Sequence, residues 1–249
     1  MKKIILCCAM ILALAAIPLG LAEGNVGAPS DAAEIVTFGA YPQTASGSDS
    51  TPIQWFVLEE DDGKALLVSR YLLETMTYNP ERAGSKWEES ALRQWLNEDF
   101  LNNAFTEEER AAILLTDVDN SWKESYGREC VDGGGDTQDM VFLLSYKQAM
   151  KYFRGKKDRI CAMTDYVTAK IAHVEGVEQW ESGVAGYWWL RSPGLAVSCV
   201  ACVQYDGVIS NGYVTYEGVC VRPALWVDLD RAVLGSLKKA AAKPPFRGV

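Results

Sequence analysis

Gly186-Tyr-Trp-Trp-Leu-Arg-Ser-Pro-Gly194, "GYWWLRSPG", is the stretch on which the reading of this chain turns. Bulky β-forming residues run into a Pro-Gly turn, so Tyr187 to Arg191 reads as a strand. Side chains alternate across a strand, which sends Trp188 and Trp189 to opposite faces and lets at most one of them line a shared surface easily. Arg191 falls on the side of Trp189, where stacking or an ion pair is available to it. Two readings stand side by side. The stretch is an aromatic floor beside a cation, or a packed hub in which Arg191 binds backbone carbonyls.

Outward from it the chain stays rich in β-formers. Val200 to Tyr205 and Tyr213 to Val227 read as strands, punctuated by Asp206-Gly207 and Asn211-Gly212. Pro223 cannot donate to a sheet ladder, so the last strand bends or meets an edge there, and Arg222 beside it reads as structural. Ala201, Val203, Ile209, Val214 and Val219 have the character of inward residues. Between them come Ser198, Gln204, Tyr205, Ser210, Asn211, Tyr213, Thr215, Tyr216 and Glu217, with Cys199, Cys202 and Cys220. Tyr, Ser and Asn offer rigid aromatic area and adaptable hydrogen bonds. The bland alternative is a solvated β edge.

The first half mixes periods. Glu34 to Gly39 reads as a strand, and Pro52 to Glu59 and Lys64 to Ser69 as a hairpin around Asp62-Gly63. Trp87 to Phe105 is helical, with Ser90 as N-cap. Thr106 to Glu109 and Ser145 to Gln148 are capping boxes that open further helices. Thr164 starts another, which ends near Ala172. Met140 to Leu144 reads as a buried strand, and Asp117 to Gln138 as loop. Strands, then helices, then a β-rich end make the fold class α+β.

At 249 residues and 49% hydrophobic, the chain can bury one sizeable core. Met1-Lys2-Lys3, the apolar run Ile4 to Leu19 and Gly20-Leu21-Ala22 read as a signal peptide, residues 1–22, cleaved after Ala22. A linker covers 23–32, one domain 33–230 and a loose tail 231–249. Loss of Lys2 and Lys3 takes the net charge from −9 to about −11. An acidic exported chain has no electrostatic footprint for nucleic acid, and no later segment reads as membrane-spanning. The expected location is outside the cell or on its surface, and the expected partner an extracellular protein or glycan.

The ordered motifs Phe38-Gly-Ala-Tyr-Pro-Gln43, Pro52-Ile-Gln-Trp55, Leu66-Leu67-Val68-Ser69, Leu92-Arg93-Gln94-Trp95-Leu96-Asn97, Phe142-Leu143-Leu144-Ser145, Trp188 to Gly194 and Val221-Arg222-Pro223-Ala224-Leu225 resemble the bacterial domain family of unknown function 6273, over almost the whole mature chain. The C-terminal third is similar to the variable proteins of diversity-generating retroelements. That similarity implies a C-type-lectin-like module, related to the formylglycine-generating enzyme fold. In that pattern a Trp–Arg-Ser block opens the module, an Arg-Pro block closes it, and exposed residues between them bind ligand. Most of the polar residues between the blocks could arise from an Asn codon by adenine replacement; Gln204 and Glu217 could not. The resulting expectation is a binding face of Trp189, Arg191, Ser198, Gln204, Tyr205, Ser210, Asn211, Tyr213, Thr215, Tyr216 and Glu217. The alternatives are an enzyme on a formylglycine-generating-type scaffold, a glycan-modifying envelope protein, or a structural envelope module.

Other chemistry has weak footing. Five cysteines follow the leader, an odd number that leaves at least one thiol unpaired. Cys199-Val-Ala-Cys202 lies in a β run, where its side chains face opposite ways, and a zinc site would need two more ligands. His173, the single histidine, has no Gly-x-Ser-x-Gly elbow with it. Asp117-Val-Asp119-Asn120 and Asp132-Gly-Gly-Gly-Asp136 lack EF-hand spacing. No catalytic residue, metal or cofactor is expected.

Overall fold

The computed structural model describes residues 27–29, 34–82, 84–172, 185–233 and 238–239. The leader, most of the linker, His173 and most of the tail lie outside the described residues.

Two five-stranded sheets carry the fold. The first has the order β11-β3-β2-β1-β12, from β1 (Ile35–Tyr41), β2 (Thr51–Asp61), β3 (Lys64–Ser69), β11 (Ala224–Asp228) and β12 (Lys238–Lys239). The β2–β3 hairpin closes through Asp62 and Gly63, both at positive φ, as the Asp-Gly pair requires. Lys238 and Lys239 pair with Thr37 and Val36, so this part of the expected loose tail is tied to the first strand.

The second sheet has the order β4-β10-β7-β8-β9, from β4 (Glu74–Thr75), β7 (Tyr187–Pro193), β8 (Cys199–Val203), β9 (Ile209–Tyr213) and β10 (Val219–Val221). A ribbon of β5 (Thr116–Val118) and β6 (Thr137–Asp139) stands apart. Its pairing joins the two ends of what the sequence suggested was all loop.

Helices fill the middle of the chain: α1 (Ala91–Trp95), a π turn at Leu96–Phe100, α2 (Leu101–Ala104), α3 (Glu107–Ala112), α4 (Tyr146–Tyr152), α5 (Lys156–Arg159) and α6 (Asp165–Ile171). A last turn, α7, covers Leu229–Val233. The caps fall where the sequence put them. The side chains of Ser90, Thr106, Ser145 and Thr164 each accept from the amide three residues on, and Glu109 and Gln148 complete the two capping boxes. The mixture of sheets and short helices is α+β.

Two strand expectations need correction. Met140 to Leu144 is buried from Val141 onward but is no ladder strand; Phe142 makes a single bridge to Ala224. Side chains take much of its backbone instead. Asn97 Oδ1 accepts from the amides of Met140 and Val141, and its Nδ2 donates to the Val141 carbonyl. Arg191 Nη1 donates to the Leu143 carbonyl at 2.8 Å. Tyr213 to Val227 is likewise three pieces. The chain leaves β9, recrosses to the start of β7 where Val219 pairs with Tyr187, and then changes sheet between β10 and β11.

Arg222 and Pro223 make that change of sheet. Pro223 has no amide to donate, and its carbonyl accepts from Ser69. Arg222 is fully buried, with Nε donating to the Ser69 carbonyl at 3.0 Å. Its guanidinium carbon lies 4.6 Å from the Phe153 ring centroid and 4.9 Å from that of Trp188. The core it joins is dominated by Trp55, Trp87, Trp188 and Trp189, all buried.

Candidate functional site

The second sheet decides which expected contact residues reach solvent. Strand β8 is interior, with β7 on one side and β9 on the other, and Val200 to Val203 are buried throughout. Strand β9 is the edge, in the register Cys199↔Tyr213, Ala201↔Asn211 and Val203↔Ile209. Partners across a ladder share a face, so Ile209, Asn211 and Tyr213 lie on one side, and Ser210 and Gly212 lie on the side of Cys202 and Trp189.

Tyr213 is 69% exposed. Asn211 is exposed too, but its Oδ1 accepts from the Leu195 amide at 3.3 Å, so it holds the neighbouring loop. That loop is further fixed by Gly194 N donating to Cys199 O and by Val131 N donating to Gly194 O. It presents Leu195 and Val197, 54% and 58% exposed. Apolar loop-tip residues were not among the expected contacts; the signal was their lack of any strand period between Gly194 and Ser198. Ser198 itself is half-buried.

A second cluster sits at the other end of the strand. Tyr205 packs edge-on against Tyr187, with centroids 5.9 Å apart. Burial, followed by nearby Cys202, Tyr205, Asp206 and Tyr216, pushes the Tyr187 phenol upward. Tyr187, Gln204, Ser210 and Tyr216 are half-buried, and Tyr205 is exposed. Tyr187 was missed by sequence reasoning, although alternation puts it on the side of Trp189. Thr215 is half-buried and Glu217 exposed on the recrossing segment, where the Glu217 carbonyl accepts from Thr75 Oγ1 at 2.6 Å.

Trp189 and Arg191 do not belong to this face, and the expectation for both is corrected. Trp189 is fully buried, its Nε1 donates to the Met76 carbonyl at 3.0 Å, and Tyr78 packs against it edge-on at 5.7 Å. Strand β7 is covered on both sides, so both tryptophans of the pair turn inward. Arg191 Nη1 donates to Leu143 O and, at 2.6 Å, to Gln148 Oε1, while Nη2 donates to Asp119 O at 3.2 Å. The hub reading of GYWWLRSPG, with Arg191 on backbone carbonyls, describes this geometry.

Three of the thiols have little nucleophilic capacity. Burial pushes Cys161 up to about 11 and Cys202 up to about 12, and it raises Cys220 as well. A thiol held that high stays protonated at neutral pH. Cys130 and Cys199 are half-buried, and all five are free. Among the described residues, no three His, Cys, Asp or Glu side chains come together as a metal site would need. No helix among them is long and apolar enough to cross a membrane.

A family profile described as "Domain of unknown function (DUF6273)" matches residues 62–229. That span takes in the whole second sheet but leaves out β1, β2 and β12, which complete the first. No curated protein and no solved structure matches.

Proposed function

The chain belongs to the DUF6273 family, and we propose that it is a ligand-binding protein acting at or outside the bacterial surface, with its contact face on the late sheet. The observation that carries this reading is the arrangement around Tyr213. A large aromatic stands exposed on an edge strand, with Leu195 and Val197 beside it on a loop pinned by Asn211. Behind it the sheet is braced by the buried Trp189 and Arg191. Rigid aromatic area on a braced frame binds with little loss of conformational freedom.

A C-type-lectin-like arrangement and diversification of Leu195 to Pro223 are parts of this proposal. Secretion by the leader is another. The enzyme alternative on a formylglycine-generating-type scaffold is disfavoured by the burial of three of the five thiols.

A glycan array and a panel of surface polysaccharides, probed with the purified full chain and with a Tyr205→Ala/Tyr213→Ala/Glu217→Ala variant, test the reading. Binding lost in the variant is expected, with the thermal midpoint lowered by no more than loss of the Tyr205–Tyr187 contact accounts for. A ligand bound equally well by both proteins would move the contact site elsewhere. For diversification, the flanking DNA is expected to hold a reverse transcriptase and an imperfect copy of the segment encoding Leu195 to Pro223. An intact locus with neither would leave a fixed binder.

A further inference from the structure

A cleft of about 320 Å³, sharing no lining residue with the proposed contact face, lies between the β5 end, helix α4 and Trp226. Its floor holds Arg191, whose side chain is only 3% exposed. All its hydrogen-bond acceptors are neutral: Leu143 O, Asp119 O and Gln148 Oε1. The nearest carboxylate, Glu124, stands 3.8 Å from Nη2 and is itself engaged by the Ser145 hydroxyl. Arg191 Nε is buried with no hydrogen-bond partner among the described residues. Arg191 thus has three dipolar acceptors, one lining carboxylate at the edge of ion-pair range and an Nε without an acceptor, so its buried donors are not all satisfied, a costly arrangement unless something else completes it.

The walls carry charges of both signs on separate elements. On α4, Lys151 is committed to Glu59 at 2.6 Å, whereas Lys147 is exposed, with no carboxylate of the described residues in ion-pair range. β5 and the residue after it supply Asp117 and Asp119, both exposed, with the Asp119 backbone tied to Arg191 through its carbonyl. Asp117 spends Oδ1 on Gln138 Nε2, and its Oδ2 accepts nothing from the described residues. Phe142 and Trp226 supply apolar lining between the two charged sides. A simple anion would meet the two aspartates, and a simple cation would meet Arg191 and Lys147. The complement of such a cleft is a dipolar molecule.

We propose that the cleft binds a small zwitterion of the amino-acid class, with its carboxylate toward Lys147 and the Arg191 floor and its ammonium toward Asp117. The charge-assisted contacts fix the direction of the molecule, and the volume limits it to about one or two residues. This site is independent of the contact face around Tyr213, and either can fail without the other.

The test uses the full chain and five probes, glycine, L-alanine, L-lysine, L-glutamate and L-phenylalanine, with acetate and methylamine as half-molecules. Binding is read by calorimetry and by the shift of the Trp226 indole resonance. At least one amino acid is expected to saturate, with each half-molecule at least about tenfold weaker. Lys147→Ala and Asp117→Asn are each expected to weaken the amino acid about tenfold with the thermal midpoint unchanged, since both positions are exposed. Arg191→Lys should weaken it further, but its fold is checked first because the side chain is buried. No binding of any of the five at millimolar concentration would overturn the proposal. So would acetate binding as tightly as the amino acid, or affinity unmoved by both Lys147→Ala and Asp117→Asn.

Discussion

Gly212 lies where a Cβ would come within 2.8 Å of the Trp189 ring. The edge strand that carries the proposed contact residues therefore rests directly on the buried tryptophan of the pair, with no room for a side chain between them. Gly212→Ala must displace either the ring or the edge. A cost of about 1–3 kcal/mol is expected, as for other overpacked cores. Gly63→Ala is the comparison. Nothing stands within 4 Å of its Cβ position, and only its positive φ opposes alanine, so about 1 kcal/mol is expected. Chemical denaturation of the two variants decides; a Gly212→Ala cost no larger than that of Gly63→Ala would remove the close contact.

Exposure separates the tyrosines. Tyr213→Ala should change stability by no more than about 0.5 kcal/mol, because the residue is 69% exposed. Tyr205→Ala loses the edge-on contact with Tyr187, and about 0.5–1.5 kcal/mol is expected. Thermal and denaturant midpoints of the two single variants provide the comparison. A large loss at Tyr213 would make it a core residue and end its role as a contact.

Arg191→Lys exchanges a planar fork for a single ammonium. It cannot serve Leu143 O, Gln148 Oε1 and Asp119 O together. At least one carbonyl is left buried without a donor, at a cost of about 1–3 kcal/mol. Denaturant unfolding of the variant is the check, and wild-type stability would mean that the carbonyl ties contribute nothing.

Asp49 organises the loop from Gln43 to Thr51. Burial opposes its ionisation, but the Thr44 and Thr51 hydroxyls and the Gln43 and Thr44 amides outweigh this and hold the carboxyl well below the usual range. With the folded value depressed, its stabilisation is complete above the unfolded value of about 4 and is lost as pH falls through the folded value. Amide exchange at Gln43 and Thr44 is expected to accelerate, relative to the global unfolding rate, as the pH is taken downward from about 4. Asp49→Ala should exchange fast at every pH. A wild-type protein whose loop protection ignores acid would contradict the assignment.

Alkylation should sort the cysteines by burial. At mildly alkaline pH, Cys130 and Cys199 are expected to react on the native protein well before Cys161, Cys202 and Cys220, whose thiols are buried and pushed upward. Peptide mass mapping over time reads each site separately. Early modification of Cys202 would mean that β8 is not the interior strand described.

Several elements could be read from residues alone because their causes are local. The Asp62-Gly63 turn, the caps at Ser90, Thr106, Ser145 and Thr164, and the strand at Tyr187 each depend on side chains within a few positions. A cap is a contact between a residue and the amide three places on, and a two-residue turn is set by its own φ values, so no distant partner is needed.

Tertiary structure alone decided the rest. Nothing near Met140 announces that Asn97 and Arg191, far away in sequence, take its neighbours' backbone bonds and keep it out of a ladder. Period-2 alternation marks two sides of Tyr187 to Arg191, but it carries no information about how many of those sides are covered. Both are, because β7 is flanked by β10 and β8 and packed against Tyr78 on one face and Phe153 on the other. That is why Trp189 and Arg191 went inside while Tyr213, on the edge strand, stayed out. Strand order is set by long-range pairing and burial by strand order, so exposure is a property of the assembled sheet rather than of any stretch within it.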